Sequence, residues 1–308
     1  MKISTSFLFD RASERIGRLE TQLATRQAQL STGKELLSPS DAPDKASAIN
    51  RLRSEVERNE SSVKTLTTAM HRYQAEEVAL KGISDILMRM QELTILAAND
   101  TNGATDRRII AAEMSGLREQ MVALGNTRDD SGNYIFAGTR VGTAPLVQNE
   151  QGQVSFAGDQ TKTSVPAGVE RSVGFTRSAS DVFNRLLRTN EKDEIYSVGF
   201  FESLDQTIVA MENNDTQALR VGLGEFSTLQ DSINLALVKT GTDQSVVDSQ
   251  VQVLEETALR LKSALSDMED LNYAEAVARM NKEMLALESS MASFAKITGL
   301  TLFDYIGR

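Results

Sequence analysis

The chain has 308 residues, 33 Lys and Arg against 43 Asp and Glu, a net charge of -10, one His and no Cys or Trp. So acidic a chain is a poor counterion for nucleic acid, whose binding rests on Lys and Arg neutralising phosphates. The missing Cys and lone His exclude a disulfide framework, a thiolate nucleophile and a multi-His metal centre. No run approaches the ~18 apolar residues of a membrane span. The opening MKISTSFLFDRASERIGRLE is polar again by Asp10, without an apolar stretch of secretory length, so no cleavable signal is expected.

Proline and glycine punctuate the rest. The four prolines stand at 39, 43, 145 and 166, and seven of the 19 glycines lie between Gly132 and Gly174. Long Pro-free runs rich in Ala, Leu, Glu, Arg and Gln predict long helices on either side of a loop-and-strand middle.

Residues 7–32 carry an apolar seam at heptad spacing, with Phe9, Ala12, Ile16, Leu19, Leu23 and Leu30 on one stripe and Arg26 as its one polar interruption. Gly33 stops it, and SPSDAP at 38–43 is a breaker with Ser40 and Asp41 as candidate N-caps. A second seam runs through Ile49, Leu52, Val56, Val63, Leu66, Met70 and Tyr73. It continues after a small slip in Leu80, Ile83, Leu87, Met90 and Ala97. A helix over 44–98 would be roughly 80 Å long, which predicts an elongated molecule or a coiled-coil partner. After a turn at 99–105, a third helix over 106–125 has Ile109, Ile110, Met114, Leu117, Met121 and Leu124 as its stripe.

From 126 the period changes. Asp130 to Asn133 followed by Tyr134 and Phe136 reads as a turn into a strand, and 132–177 as a small antiparallel β unit of about four strands. Helical character resumes near Ser180. Phe200, Leu204, Ile208 and Met211 mark one helix, and Leu219, Val221, Leu223, Phe226, Leu229, Ile233 and Leu237 the next. The C-terminal seam is Val247, Val251, Leu254, Ala258, Leu261, Leu265 and Met268. It slips by one residue after Asp270 and restarts as Tyr273, Val277, Met280, Met284, Leu287, Met291 and Phe294, in steps of four and three. The fold class expected is mainly α, an elongated antiparallel helical bundle or coiled coil from both chain ends with a small inserted β-rich unit. The expected division is 1–43 with 268–308 as a terminal coiled-coil domain, 44–131 with 179–267 as a helical rod, and 132–178 as an outer β-rich unit.

Chemistry finds no footing. His71 is a lone helical residue, and the GxG of Val221 to Glu225 lacks both the third glycine and the preceding strand of a dinucleotide site. DTNGATD at 100–106 lacks the ligand spacing of a calcium loop. No catalytic, cofactor-binding or metal residue is assigned. Met280, Met284 and Met291, with Leu287 and Phe294, read as core or as an adaptable surface that serves more than one partner.

Four stretches carry a resemblance: QLSTGKELLSPSDAP (29–43), DDSGNYIFAGT (129–139), SALSDMEDLNYAEAVARM (263–280) and ASFAKITGLTLFDYIGR (292–308). Together with the first seam they resemble the bacterial flagellin-type axial proteins, and among these the hook–filament junction type. The resemblance implies a structural, non-enzymatic flagellar protein, exported unfolded without a cleaved signal and located outside the cell. It implies partners as well: the first hook-associated protein, flagellin, copies of itself in a ring of about eleven, and an export chaperone on the C-terminal helix, with neither nucleic acid nor membrane among them. The assembly residues expected are Phe9, Ile16, Leu19, Leu23 and Leu30 at one end. At the other they are Val277, Met284, Leu287, Met291, Phe294, Leu302, Phe303 and Tyr305, while Met280, Met284, Leu287, Met291 and Phe294 are expected to take the chaperone. The alternatives are a flagellin filament subunit and, in a different class, a cytoplasmic coiled-coil signalling or chaperone-like protein.

Overall fold

The computed structural model describes residues 2–99, 101–166, 172–183, 185–189 and 194–306, and the side chains among them except those of 2–6, 8 and 297–306. Seven helices appear there: α1 Lys2–Thr32, α2 Pro43–Ala98, α3 Ala104–Gly125, α4 Ala179–Val182, α5 Phe200–Glu212, α6 Thr216–Glu269 and α7 Tyr273–Ile306. Six short strands lie between α3 and α5: β1 Leu146–Gln148, β2 Val154–Phe156, β3 Ser164–Pro166, β4 Ser172–Gly174, β5 Leu186–Thr189 and β6 Ile195–Val198. The protein is mainly α, with a few small antiparallel strand pairs. The chain forms two compact units, Met1–Asn59 with Glu256–Arg308, and Glu60–Glu255.

In the first unit the breaks fall where the sequence pattern breaks. Gly33, at φ +70°, ends α1 while its N–H still bonds the Gln29 carbonyl at 2.9 Å; a left-handed residue after the last turn is the usual reason for glycine there. Asp41 closes its own turn, its carboxylate accepting from the Ser38 N–H at 2.8 Å. The helix that follows opens on Pro43, whose missing N–H costs nothing at a first position. The one-residue slip after Asp270 is a true interruption. The α6 helix stops at Glu269, the Leu271 N–H bonds the Gly33 carbonyl at 2.9 Å, and α7 begins at Tyr273.

In the second unit α2 and α6 run antiparallel, as the pairs Gln230–Ser84, Thr240–Glu76 and Gln244–Glu77 require. Leu80, Ile83, Leu87 and Met90 of α2, Met114 and Met121 of α3, Leu204 and Met211 of α5, and Phe226, Leu229 and Ile233 of α6 share one buried core. Each such side chain contributes about 1.5–3 kcal/mol of transfer free energy. A smaller cluster joins Leu66, Ala69 and Tyr73 to Val173 and Val247. Two expected stripe members, Ile109 and Val221, are exposed instead. The buried face of α3 has room for Arg107, whose guanidinium bonds the Ala97 carbonyl at 2.7 Å and the Asn99 carbonyl at 3.2 Å, supplying donors to the C-terminal end of α2.

In the middle segment four antiparallel strands, β1–β4, fall within 132–177 as expected, but the stretch before them differs. Ile135, Phe136 and Ala137 are consecutively buried, which no alternating strand allows. The backbone here makes only isolated antiparallel bridges, Arg128 with Tyr134 and Ala137 with Ser178, and the Tyr134 and Ile135 carbonyls accept from the guanidinium of Arg72. The strands form three separate two-stranded antiparallel pairs, β1–β2, β3–β4 and β5–β6. The third lies beyond the expected strand region. Leu186, buried, pairs with buried Val198, so the inner face of that pair is anchored on the core. Gly138, at φ +66°, brings the backbone so close to Asp159 that a Cβ would overlap its carbonyl.

A charged cluster sits under this segment. Arg177 pairs with Glu76 of α2, reaches Asp243 of α6 at 3.6 Å and donates to Thr240 at 3.2 Å; Arg72 pairs with Asp129 at 2.9 Å and packs over the Phe175 ring. Burial pushes the Glu76 carboxyl above its ordinary pKa, with Arg177, the Thr240 hydrogen bond and Arg72 pulling it back. Asp243 is likewise raised by burial, against Arg177 and Lys239.

Candidate assembly interface

The two terminal helices pack on each other, antiparallel, within the first unit. The pairs that fix their direction are Phe9 with Phe294, ring centroids 4.9 Å apart, and Arg26 with Glu283 at 3.5 Å. On α1 the heptad residues Ile16, Leu19, Leu23 and Leu30 are half-buried, so the seam read from the sequence does face inward. Phe9, near the start, remains 46% exposed despite its ring contact.

On α7 the seam divides. Met280, Leu287 and Phe294 are half-buried, whereas Val277, Met284 and Met291 are 41%, 44% and 52% exposed. The same face of α7 also carries Ala276, Glu283 and Ser290, each buried or half-buried. Leu285, 65% exposed, widens the uncovered apolar stripe. Leu302, Phe303 and Tyr305 have side chains outside the described residues.

Two polar features interrupt this contact, and sequence periodicity signalled only one of them, the break at Arg26. That guanidinium donates to the Gln29 side chain at 2.8 Å, and Gln29, buried, donates to the Glu35 carbonyl at 2.5 Å. Glu283 holds one carboxylate oxygen on Arg26 while the other is buried with no donor. At the base, Glu269 accepts from both Lys34 and Arg53, and the Glu35 N–H bonds the Glu269 carbonyl at 2.8 Å. The Lys34 hydrogen bond first, and Arg53 with it, hold the Glu269 carboxyl below its ordinary pKa, against the opposing effect of burial. A depressed carboxylate contributes stability above its unfolded-state value that is lost as pH falls through its folded-state value. Glu269→Gln should therefore lower the melting temperature at neutral pH and lose that deficit in acid. A deficit that persists unchanged in thermal melts below the carboxylate range would refute the clamp.

A groove of about 900 Å³ beside the pair is lined by Gly17, Thr21 and Thr25 of α1, with Arg18, Lys45 and Arg279 at its rim. Among the described residues no helix is long and apolar enough to cross a membrane, and no cluster of three or more His, Asp or Glu is placed to hold a metal.

The N-terminal helical region of bacterial flagellin matches residues 3–141, and its C-terminal helical region matches residues 231–306. The flagellar hook-associated protein 3 of Escherichia coli strain K12 is 27% identical over 317 aligned residues, covering 99% of this chain and 99% of that protein. Its Salmonella typhimurium strain LT2 counterpart is 26% identical over the same length and coverage. The crystal structure of Xanthomonas campestris FlgL shares the fold, with a TM-score of 0.63 at 19% identity, over 71% of this chain and 99% of that one.

Proposed function

The chain belongs to the bacterial flagellin family, on the branch of flagellar hook-associated protein 3, and from that premise we propose how it works as the structural junction between hook and filament. It is a structural protein, as its relatives are, and not an enzyme. The observation that carries the reading is the pairing of its first and last helices, the two regions matched to flagellin, with an apolar stripe left uncovered on the second.

In this proposal the first hook-associated protein lies on one side of a ring of about eleven copies, and flagellin on the other. The chain passes out of the cell unfolded and without a cleaved signal. Before export a cytoplasmic chaperone covers the stripe of α7 centred on Met280, Met284, Leu287, Met291 and Phe294; after export, neighbouring subunits replace it. Methionine suits such serial use because its unbranched, flexible chain repacks against differently shaped partners. Assembly contacts add Phe9, Ile16, Leu19, Leu23 and Leu30 of α1, Val277 of α7, and Leu302, Phe303 and Tyr305. Burial of that stripe between copies adds to the contact that α1 and α7 already make within one chain.

Deleting the gene tests the proposal directly. Hooks should form normally while flagellin is lost to the medium, and the intact chain supplied in trans should restore filaments. Normal filaments in the deletion strain would overturn it. Purified protein that extends filaments by itself from a seed would favour the filament-subunit alternative. A chain found only in the cytoplasm, and never in sheared flagella, would favour the cytoplasmic one.

A further inference from the structure

As a sequence, α7 offers one unbroken apolar seam from Tyr273 to Phe294, yet in the structure that seam does not face α1 squarely. Met280, Leu287 and Phe294 lie on the contact, but Val277, Met284 and Met291 stand outside it, and Ala276, Glu283 and Ser290 occupy the places they would take. A roll of α7 about its own axis by roughly 50°, half the ~100° step between successive residues, would centre the apolar seam on α1. Apolar burial favours that roll, since Val, Met and Met would replace Ala, Glu and Ser at the contact.

Arg26 opposes it. Its guanidinium is half-buried in the α1 seam, with Glu283 at 3.5 Å and the buried Gln29 as its partners. Rolling α7 would carry Glu283 to the edge of the contact and bring Met284 toward Arg26. The guanidinium would then be desolvated without its carboxylate. Breaking a buried pair by removing one partner is far more costly than the pair itself is stabilising. We propose that the Arg26–Glu283 pair is a rotational latch, which holds α7 turned so that Val277, Met284 and Met291 stay outside the α1 contact. The exposed stripe is thus a maintained state of the chain and not a lapse of packing. The latch stands on the geometry of α1 and α7 alone and does not depend on the flagellar reading.

The chain has no Cys, so Met284→Cys in the full-length protein places a single thiol on the stripe. With the latch intact this thiol should react with a maleimide at the rate of an exposed site. Adding Arg26→Leu, which leaves Glu283 facing an apolar α1, should slow that reaction by roughly threefold or more as the stripe turns inward, with the far-ultraviolet circular dichroism unchanged. Exchanging the charges, Arg26→Glu with Glu283→Arg, should restore fast labelling. Labelling that stays as fast with Arg26→Leu, whether the helix remains in place or detaches, overturns the latch. So does a charge-exchanged protein that labels as slowly as the Arg26→Leu variant.

Discussion

Replacing Arg177 by methionine is expected to destabilise the Glu60–Glu255 unit by about 3–5 kcal/mol, the cost of leaving buried charges without their partner. The methionine fills much of the volume but gives Glu76 and Asp243 no cation, and it takes away the donor that Thr240 receives from that guanidinium. The deficit should depend on pH with a definite sign. Both carboxyls already have raised folded-state values, burial being the largest cause, and Arg177 is the first of the groups that oppose it. A raised carboxyl contributes stability that is fully present below its unfolded-state value and is lost as pH rises through its folded-state value. Without Arg177 those values rise further, so acidification from neutral toward about pH 5 should narrow the gap to wild type. Urea unfolding at the two pH values measures it. A deficit below about 1 kcal/mol, or one that does not shrink in acid, would show that the cluster is not the anchor described. Adding Glu76→Gln to Arg177→Met should recover part of the loss, because it removes one of the stranded charges.

The second large effect is on assembly. Met291→Asp should cut incorporation into flagella by roughly 100-fold or more, since a charge buried in an interface costs several kcal/mol. The same substitution should leave the isolated chain within about 0.5 kcal/mol of wild type, because at 52% exposure the side chain is still in water there. Met291→Leu, similar in volume and apolar, should incorporate normally. Comparing sheared flagella with thermal melts of the soluble chain separates the two effects. Equal incorporation of the Asp and wild-type chains would remove Met291 from the interface; an unstable soluble chain would mean that it belongs to the monomer core.

The long helices were legible because their evidence is local and repeated. Over fifty residues of α2, nearly every apolar position in phase proved buried or half-buried, and a seven-residue period leaves little room for another reading. The Gly33 stop and the slip after Asp270 were legible for the same reason, since each interrupts a long run. In the middle, the four strands β1–β4 were legible within 132–177, but the path through 134–137 and the pair β5–β6 were not, because the backbone there is satisfied by distant groups. Arg72, some sixty residues earlier, holds the carbonyls of Tyr134 and Ile135, and Arg118 of α3 holds the Gly152 carbonyl at 2.7 Å. No periodicity announces a buried arginine. At the interface the sequence indicated which residues form the seam on α7, but it could not indicate the rotation of that helix. Rotation depends on one ion pair between residues 257 positions apart.

The three strand pairs carry a last consequence. Among the described residues each β-strand pairs with no strand other than its own hairpin partner, and no strand is shared between pairs. Lengthening, shortening or replacing one hairpin therefore shifts no register in the other two. Strand pairs arranged in this way can each take a changed loop length or a grafted turn while the helices keep their seams.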